Sequence, residues 1–536
     1  MSSSRMRWAL APIAAVGVIS MLAACASGDS GDTADSGDMT SARDTLIFAI
    51  KEDPTCIDPQ QSTITTSLNI GRQVVDSLVD QDPETGEIVP WLATEFTSSD
   101  DLTSYTFTLR DDVTFSDDTA LTPEVVKANF DALFALSSTA SLASQYLAGY
   151  ESTEVVDDST VTVNFSAPNV QFLQGASTMT LGLVSEASTA ASAEERCTVG
   201  VIGSGPFVFD SYTPNDSVVI TKRAGYDFAS ELRGHQGEAL VDTIEFPIIT
   251  ENGNRTGGLE SGEYDIIQDL PYADEARFDT DDFRLYSKAN TGVPTGLIPN
   301  IDHSPVVADE AVRKALILGT DRDEIKELTA AAAANPATSA LTSSTTGFVS
   351  QEDALAYDPD AAEELLEDAG WTLGSDGVRE KDGQKLTFTV TAFYAQDVLE
   401  VAQMQLKDIG VDMQINITDA GGFFGAIASG DYDFLSAGLT RTDPDALRTL
   451  FSQAAKSKWA IIDDAELEAL LTEQASTSDV DARMELIAEA QALIIENADF
   501  VPLVETIQLH ASGASIEGIT FDSASRINLY DVRATS

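Results

Sequence analysis

Residues 430–451, GDYDFLSAGLTRTDPDALRTLF, leave a chain little choice of local architecture. The first half packs Tyr432, Phe434, Leu435, Ala437 and Leu439 into a short run behind the turn pair Gly430-Asp431, which is the pattern of a buried strand. The second half is a loop of donors and charges, Thr440, Arg441, Thr442, Asp443, Pro444 and Asp445, and helical spacing resumes from Asp445 to Phe451. A buried strand that delivers an Arg and two Asp into a loop is a common way of presenting polar groups to a cleft. A plainer reading fits the same residues: a strand followed by a helix whose start is capped around Asp443-Pro444.

The alternation of short apolar runs and helical spacing extends along the chain. Residues 45–51, TLIFAIK, read as a first strand, followed by the turn-rich loop Glu52-Asp53-Pro54-Thr55-Cys56-Ile57-Asp58-Pro59. Residues 67–79 carry Leu68, Ile70, Val74, Val75 and Leu78 at helical spacing. Residues 105–109 and 161–165 alternate as half-buried strands do, and Thr122-Pro123 opens a helix with Thr at the N-cap and Pro at its first position. Gly203 and Gly205 flank Ser204 in a turn expected to need positive φ. The tract Ala330 to Ala334 reads as helix, and Arg313, Lys314 and Asp321-Arg322 as a solvated helix face and a C-terminal turn. Strands alternating with helices predict an α/β fold, and 536 residues exceed one ordinary core, so two or three domains are expected.

Composition narrows the function. A formal net charge of -58, spread over the chain, argues against nucleic acid as a partner, because phosphate contacts need basic patches; it fits solubility and salt tolerance. Arg5 and Arg7 precede an apolar run from Trp8 to Ala24 that is too short to span a membrane. Leu22-Ala23-Ala24-Cys25 at its end looks like a lipobox. Residues 1–24 are therefore expected to be a lipoprotein signal peptide, Cys25 the lipidation site, and residues 25–43, rich in Ser, Gly, Asp and Thr, a disordered tether. Cys56 and Cys197 then remain, either as a disulfide, which an exported chain permits, or as two buried thiols.

Several ordered blocks carry a resemblance. Pro90-Trp91-Leu92-Ala93, the strand 105–111, Val113, Phe115 and Leu121-Thr122-Pro123-Glu124 closely resemble the signature region of family 5 extracellular solute-binding proteins, the receptors of ABC importers for dipeptides, oligopeptides and nickel. Gly203-Ser204-Gly205-Pro206-Phe207, residues 261–266, 312–322, 357–371 and 406–411, and the SGDYDF that opens the stretch described first are similar to further family blocks in the same order. The resemblance implies an α/β, two-lobed periplasmic-binding-protein-like fold with an enlarged N-terminal lobe and a hinge. Lobe I would hold residues 44–295, with 500–536 returning to it, and lobe II residues 296–499; the chain would cross near 290–300 and 497–502.

No catalytic set is legible. His235, His303 and His510 are scattered, and no HExxH, C-x-x-C or GxSxG pattern occurs, so no enzyme, metal or cofactor is expected. The resemblance implies instead a monomeric receptor, lipid-anchored to the outer face of the cell membrane. It would capture a small solute, short peptides ahead of a sugar, an opine-like compound or a nickel chelate, and deliver it to a permease and ATPase; a surface sensor without transport is the other reading. Family analogy makes Asp443 the anchor for a ligand amine, although Leu439 stands where Trp is usual and the loop is shorter. Arg441 could clasp a carboxylate or pair with Asp443. Thr440, Asp445, Asp53, Thr55, Gln268 and Asp269 complete the polar candidates, and Phe423 and Phe424 are either pocket lining or core. On this reading Asp443→Ala should weaken binding and leave the fold intact.

Overall fold

A computed structural model describes residues 44–535; the segments expected to be signal peptide (1–24), lipidation site (Cys25) and tether (25–43) lie outside the described residues. The apolar run after Asp44 forms the strand Thr45–Ala49, with Leu46 and Phe48 buried. It is the centre of a seven-stranded sheet ordered Phe283–Ala289, Ile507–Gly513, Ile266–Ile267, Thr45–Ala49, Thr243–Pro247, Ser217–Lys222 and Phe207–Thr213. Thr45–Ala49 runs parallel to Ile266–Ile267 and to Thr243–Pro247, while the outer pairs are antiparallel. A four-stranded antiparallel sheet, Ala93–Ser98, Ser104–Leu109, Thr160–Phe165 and Tyr150–Val155, packs with it into one core. The alternation in sequence at 105–109 and 161–165 is the alternation of buried and half-buried side chains in these strands.

The second large sheet is five-stranded, ordered Asp412–Ile417, Thr387–Ala392, Phe434–Thr440, Gly292–Pro299 and Val501–Val504. Its first three strands are parallel and its last two antiparallel to their neighbours. A separate core forms around it, from Val293 to Val504. The chain passes from sheet to sheet at Asn290-Thr291 and again at Glu505-Thr506, and the passes lie side by side: Asn290 N donates to Thr506 O at 3.0 Å and Asn290 Nδ2 to Thr506 Oγ1 at 2.9 Å. The second pass falls later than the expected 497–502, because Val501–Val504 stays paired with Gly292–Pro299.

Four local expectations change once distant backbone is in place. The helix expected over 67–79 is confined to Thr65–Gly71. Beyond it the backbone bonds to other segments: Phe207 N donates to Gln73 O (3.1 Å), Gly205 N to Val74 O (2.8 Å) and Ala93 N to Leu78 O (2.8 Å). Gly203 and Gly205 are needed for this close approach and not for positive φ, since a Cβ on Gly203 would lie 2.0 Å from the Val74 carbonyl oxygen. The alanine tract is not helical: the helix ends at Thr329, and Ala331 is drawn into a third small core. Arg313 and Arg322 are buried rather than solvated; Arg322 donates to the carbonyls of Pro502, Ile317, Thr320 and Leu355 and so ties two helix ends to the sheet.

His510, on Ile507–Gly513, is wholly buried between Phe48 and Phe521, with no partner for either ring nitrogen. Burial pushes its pKa from 6.5 to about 4; the nearby Asp269 opposes this and Lys51 adds to it. As pH falls through that window the unfolded chain binds the proton first, so stability present above about 6.5 is lost on the way to about 4. The full effect is about 3 kcal/mol. Asp76 and Asp499, pushed up to about 7 chiefly by burial, act in the opposite sense, but equally in wild type and variant. Urea titrations of His510→Leu against wild type should therefore show a difference that grows in the variant's favour as the solution is acidified. A difference independent of pH would contradict a neutral buried imidazole.

Candidate functional site

In sheets with parallel strands, ligands collect beyond the carboxyl ends of those strands. In the first sheet those ends are Ile50-Lys51, Pro247 and Ile267. Asp53, Thr55, Gln268 and Asp269 follow them directly, but each is already engaged. Asp53 accepts from the Tyr212 hydroxyl, from Asn215 N and from Thr55 N, which ties the loop to the Phe207–Lys222 hairpin; Thr55 itself holds φ of 55°. Gln268 is buried and donates to Thr66 Oγ1 at 3.0 Å. Asp269 pairs with Lys51 at 2.8 Å and remains half exposed.

The second sheet ends its parallel strands at Ala392, Ile417 and Thr440. Thr440 is half-buried and in register with Gly292. The residues beyond it divide between two tasks. Asp443, the expected anchor for a ligand amine, is engaged by Arg483, on the helix Val480–Glu496, which grips it with two guanidinium nitrogens, Nη1 at 3.0 Å and Nη2 at 2.5 Å. Burial would raise the Asp443 carboxyl, but the Arg483 charge and hydrogen bonds hold it below the usual carboxylate range. Asp445 is wholly buried and equally committed: Arg448 Nε and Nη2 donate to it at 2.7 and 2.6 Å, and Gln474 Nε2 donates as well. Gln474 also accepts from Arg483 Nε (3.2 Å), so both aspartates belong to one network that fixes the loop to the helices Ala465–Gln474 and Val480–Glu496.

Arg441 does something different. It does not pair with Asp443. Its side chain leaves the second sheet, lays its guanidinium over the Tyr146 ring at 4.6 Å and donates from Nη2 to Gln145 Oε1, on the helix Ser141–Tyr146 of the first core. The next residue, Thr442, donates to Ser523 O at 2.9 Å. The loop expected to present polar groups thus reaches across to the other core through Arg441 and Thr442, while Asp443 and Asp445 hold it in shape.

Phe423 and Phe424 part company as well. Phe423 is wholly buried in the second core, whereas Phe424 is 48% exposed and shares an aromatic cluster with Phe393 and Trp459. Cys56 and Cys197 are joined by a disulfide. His235 bonds to Asp531 and His303 to Asp431 and Asp433. Among the described residues no group of three or more His, Cys, Asp or Glu side chains converges as a metal site, and no helix is long and apolar enough to cross a membrane. Sequence reasoning missed Arg483, Gln145 and Tyr146, which lie far along the chain from the loop they serve and carry no local pattern.

This geometry has relatives. The family model described as bacterial extracellular solute-binding proteins, family 5 Middle, matches residues 87–460. The glutathione-binding protein GsiB of Salmonella typhimurium is 26% identical over 502 residues, covering 89% of this chain and 92% of its own length. Among solved structures, NikA from Brucella suis in complex with Fe(III)-EDTA superposes with a TM-score of 0.79 at 21% identity, over 92% of this chain and 100% of its own. The dipeptide-binding protein from Pseudoalteromonas sp. SM9913 in complex with Met-Leu does so with a TM-score of 0.76 at 22% identity, over 92% and 100%.

Proposed function

The chain belongs to the family 5 bacterial extracellular solute-binding proteins, and we propose that it captures short peptides between its two large sheets for delivery to a permease. Membership makes it the solute-binding receptor of an ABC importer, a non-enzymatic protein that works with a permease and ATPase. The lobes of the proposal are the cores of the two large sheets, with Asn290-Thr291 and Glu505-Thr506 as the hinge on which they close. An acylated Cys25 at the end of the tether holds the receptor at the membrane.

The observation that carries the peptide reading is Arg441: a buried guanidinium at the carboxyl edge of the second sheet, turned towards the first core and able to take a terminal carboxylate. Relatives that bind glutathione and Met-Leu support it. The commitment of Asp443 to Arg483 favours a second reading, an anionic solute with no amine to anchor. Thermal denaturation of protein stripped of cargo by reversible unfolding separates the two. Glutathione or Met-Leu at about a hundred times its Kd should stabilise the fold by about 2.7 kcal/mol. Stabilisation by a sugar acid or metal chelate, with none from any peptide, contradicts the peptide reading.

A further inference from the structure

Glu505 is the one glutamate buried among the described residues, and no arginine, lysine or histidine of those residues pairs with it. Neutral donors take its oxygens instead. Ser343 N donates to Oε1 at 2.6 Å, Ser343 Oγ to Oε2 at 2.7 Å and Asn335 Nδ2 to Oε2 at 3.3 Å. The Glu505 N–H in turn donates to Asn335 O at 3.0 Å. An ionised group away from water needs its hydrogen bonds, and such bonds are stronger than neutral ones. A carboxylate held this way therefore fixes the position of whatever donates to it.

What donates is a turn. Residues 342–345 close on themselves: Thr345 N donates to Thr342 O at 2.9 Å, and the two threonine hydroxyls meet at 2.8 Å. Leu341 and Phe348 on either side anchor the turn in the second core. It nevertheless touches both chain passes. Thr342 N donates to Gly292 O at 2.8 Å and Gly292 N to Thr345 Oγ1 at 2.6 Å, while Glu505 supplies the other pass. Two contacts reach further, to the side of the first core. Ser344 Oγ donates to Asn290 O at 3.1 Å, and Asn290 is tied to the strand Ile507–Gly513 through Gln508 Nε2, which donates to its Oδ1 at 3.2 Å. Thr346 lies against the first-core turn 82–86, since a Cβ on Gly86 would meet Thr346 Oγ1 at 3.1 Å. That turn is itself fixed: Asp82 Oδ1 accepts from Glu84 N at 2.7 Å and Thr85 N at 2.9 Å, and Lys288 Nζ donates to Pro83 O at 3.1 Å.

We propose that Glu505 and the turn 342–345 form a hinge brace that sets how readily the two cores come together. The proposal rests on the two-lobed receptor reading and names residues that govern closure without touching the solute. Contacts made equally in open and closed arrangements shift nothing. The Glu505–Ser343 bonds lie on the side of the second core and only hold the turn in place. The contacts that change as the cores rotate are those of Ser344 with Asn290 and of Thr346 with the turn 82–86. Glu505 is a positioning residue that acts through these two. In the structure they coexist with the reach of Arg441 and Thr442 to the first core, so they favour the arrangement in which the cores meet. Loss of the brace lowers the population of that arrangement, and the apparent affinity for solute falls in proportion.

Spin labels at Val156→Cys, beside the strand Tyr150–Val155, and Met404→Cys, on the helix Gln396–Asp408, are exposed and sit one on each core. Double electron–electron resonance between them reports the separation of the cores in solute-free protein, produced without residues 1–25 and with the Cys56–Cys197 disulfide intact. Glu505→Ala should give a distance distribution broader than and displaced from that of wild type. Ser344→Ala, which keeps the turn and loses one hydroxyl, should do the same to a smaller extent. Glu505→Gln, which keeps an acceptor for Ser343 N, should stay close to wild type. A lower Tm with unchanged distances in both Ala variants makes the cluster a structural contact only and overturns the brace. Calorimetric titration with Met-Leu is the second measurement. Glu505→Ala should bind it about threefold or more weakly than wild type. Met-Leu bound equally by all four proteins, with unchanged distances, overturns the brace and leaves the peptide reading standing. Distances that respond in a protein that does not bind Met-Leu leave the brace standing and count against the peptide.

Discussion

Arg483→Met should destabilise the protein by about 3–5 kcal/mol, the effect of stripping one partner from a buried ion pair. Arg483 holds Asp443 through two hydrogen bonds in a site from which water is largely excluded, and its loss leaves a largely buried carboxylate without its counter-charge and with one backbone donor, Asp445 N at 2.8 Å. Asp443→Ala should destabilise for the mirror reason. The double variant Asp443→Leu/Arg483→Met removes both charges and should recover most of the loss, because replacing a whole buried pair by apolar groups is often near neutral. Urea unfolding followed by tryptophan fluorescence measures all three. This reverses the expectation from sequence, in which Asp443→Ala impaired binding and spared the fold. A stable Asp443→Ala protein that no longer binds solute would restore Asp443 as a ligand anchor.

The second large effect is that of the disulfide. Cys56 and Cys197 close a loop across a separation of 141 positions. Removing that constraint from the unfolded chain, by Cys56→Ser with Cys197→Ser, should lower stability by about 3–5 kcal/mol. The bond lies beside the buried Arg196–Asp58 ion pair, 2.8 Å long, and Ile57 N donates to Cys197 O at 3.1 Å, so the surrounding contacts should persist in the reduced protein. The prediction is therefore a lower denaturation midpoint with an unchanged circular dichroism spectrum. An unchanged midpoint would mean that the unfolded chain is held compact by other means.

What the sequence made legible follows from the range of the interactions. Strands at 105–109 and 160–165 are set by alternation, which is local, and the structure keeps it. Arg448 lies within one helical turn of Asp445, and their pairing is of the kind that spacing can suggest. Arg483 lies 40 positions beyond Asp443, and Gln145 lies 296 before Arg441, and no periodicity links such pairs. The shortened helix at Thr65–Gly71 has the same cause: Val74 and Leu78 have helical spacing, but Gly205 and Ala93 take their carbonyls. The polar loop after Thr440 was recognisable as a loop with a task. Which of its residues face the other core depended on chain that no local pattern reaches.

Peptide capture is tested most directly by mass spectrometry of whatever is released on denaturing the receptor, produced without residues 1–24 and purified gently. A receptor for short peptides should release a family of them, each with a free C-terminal carboxylate for Arg441. A single sugar, an amine without a carboxylate or a metal chelate in their place would contradict it.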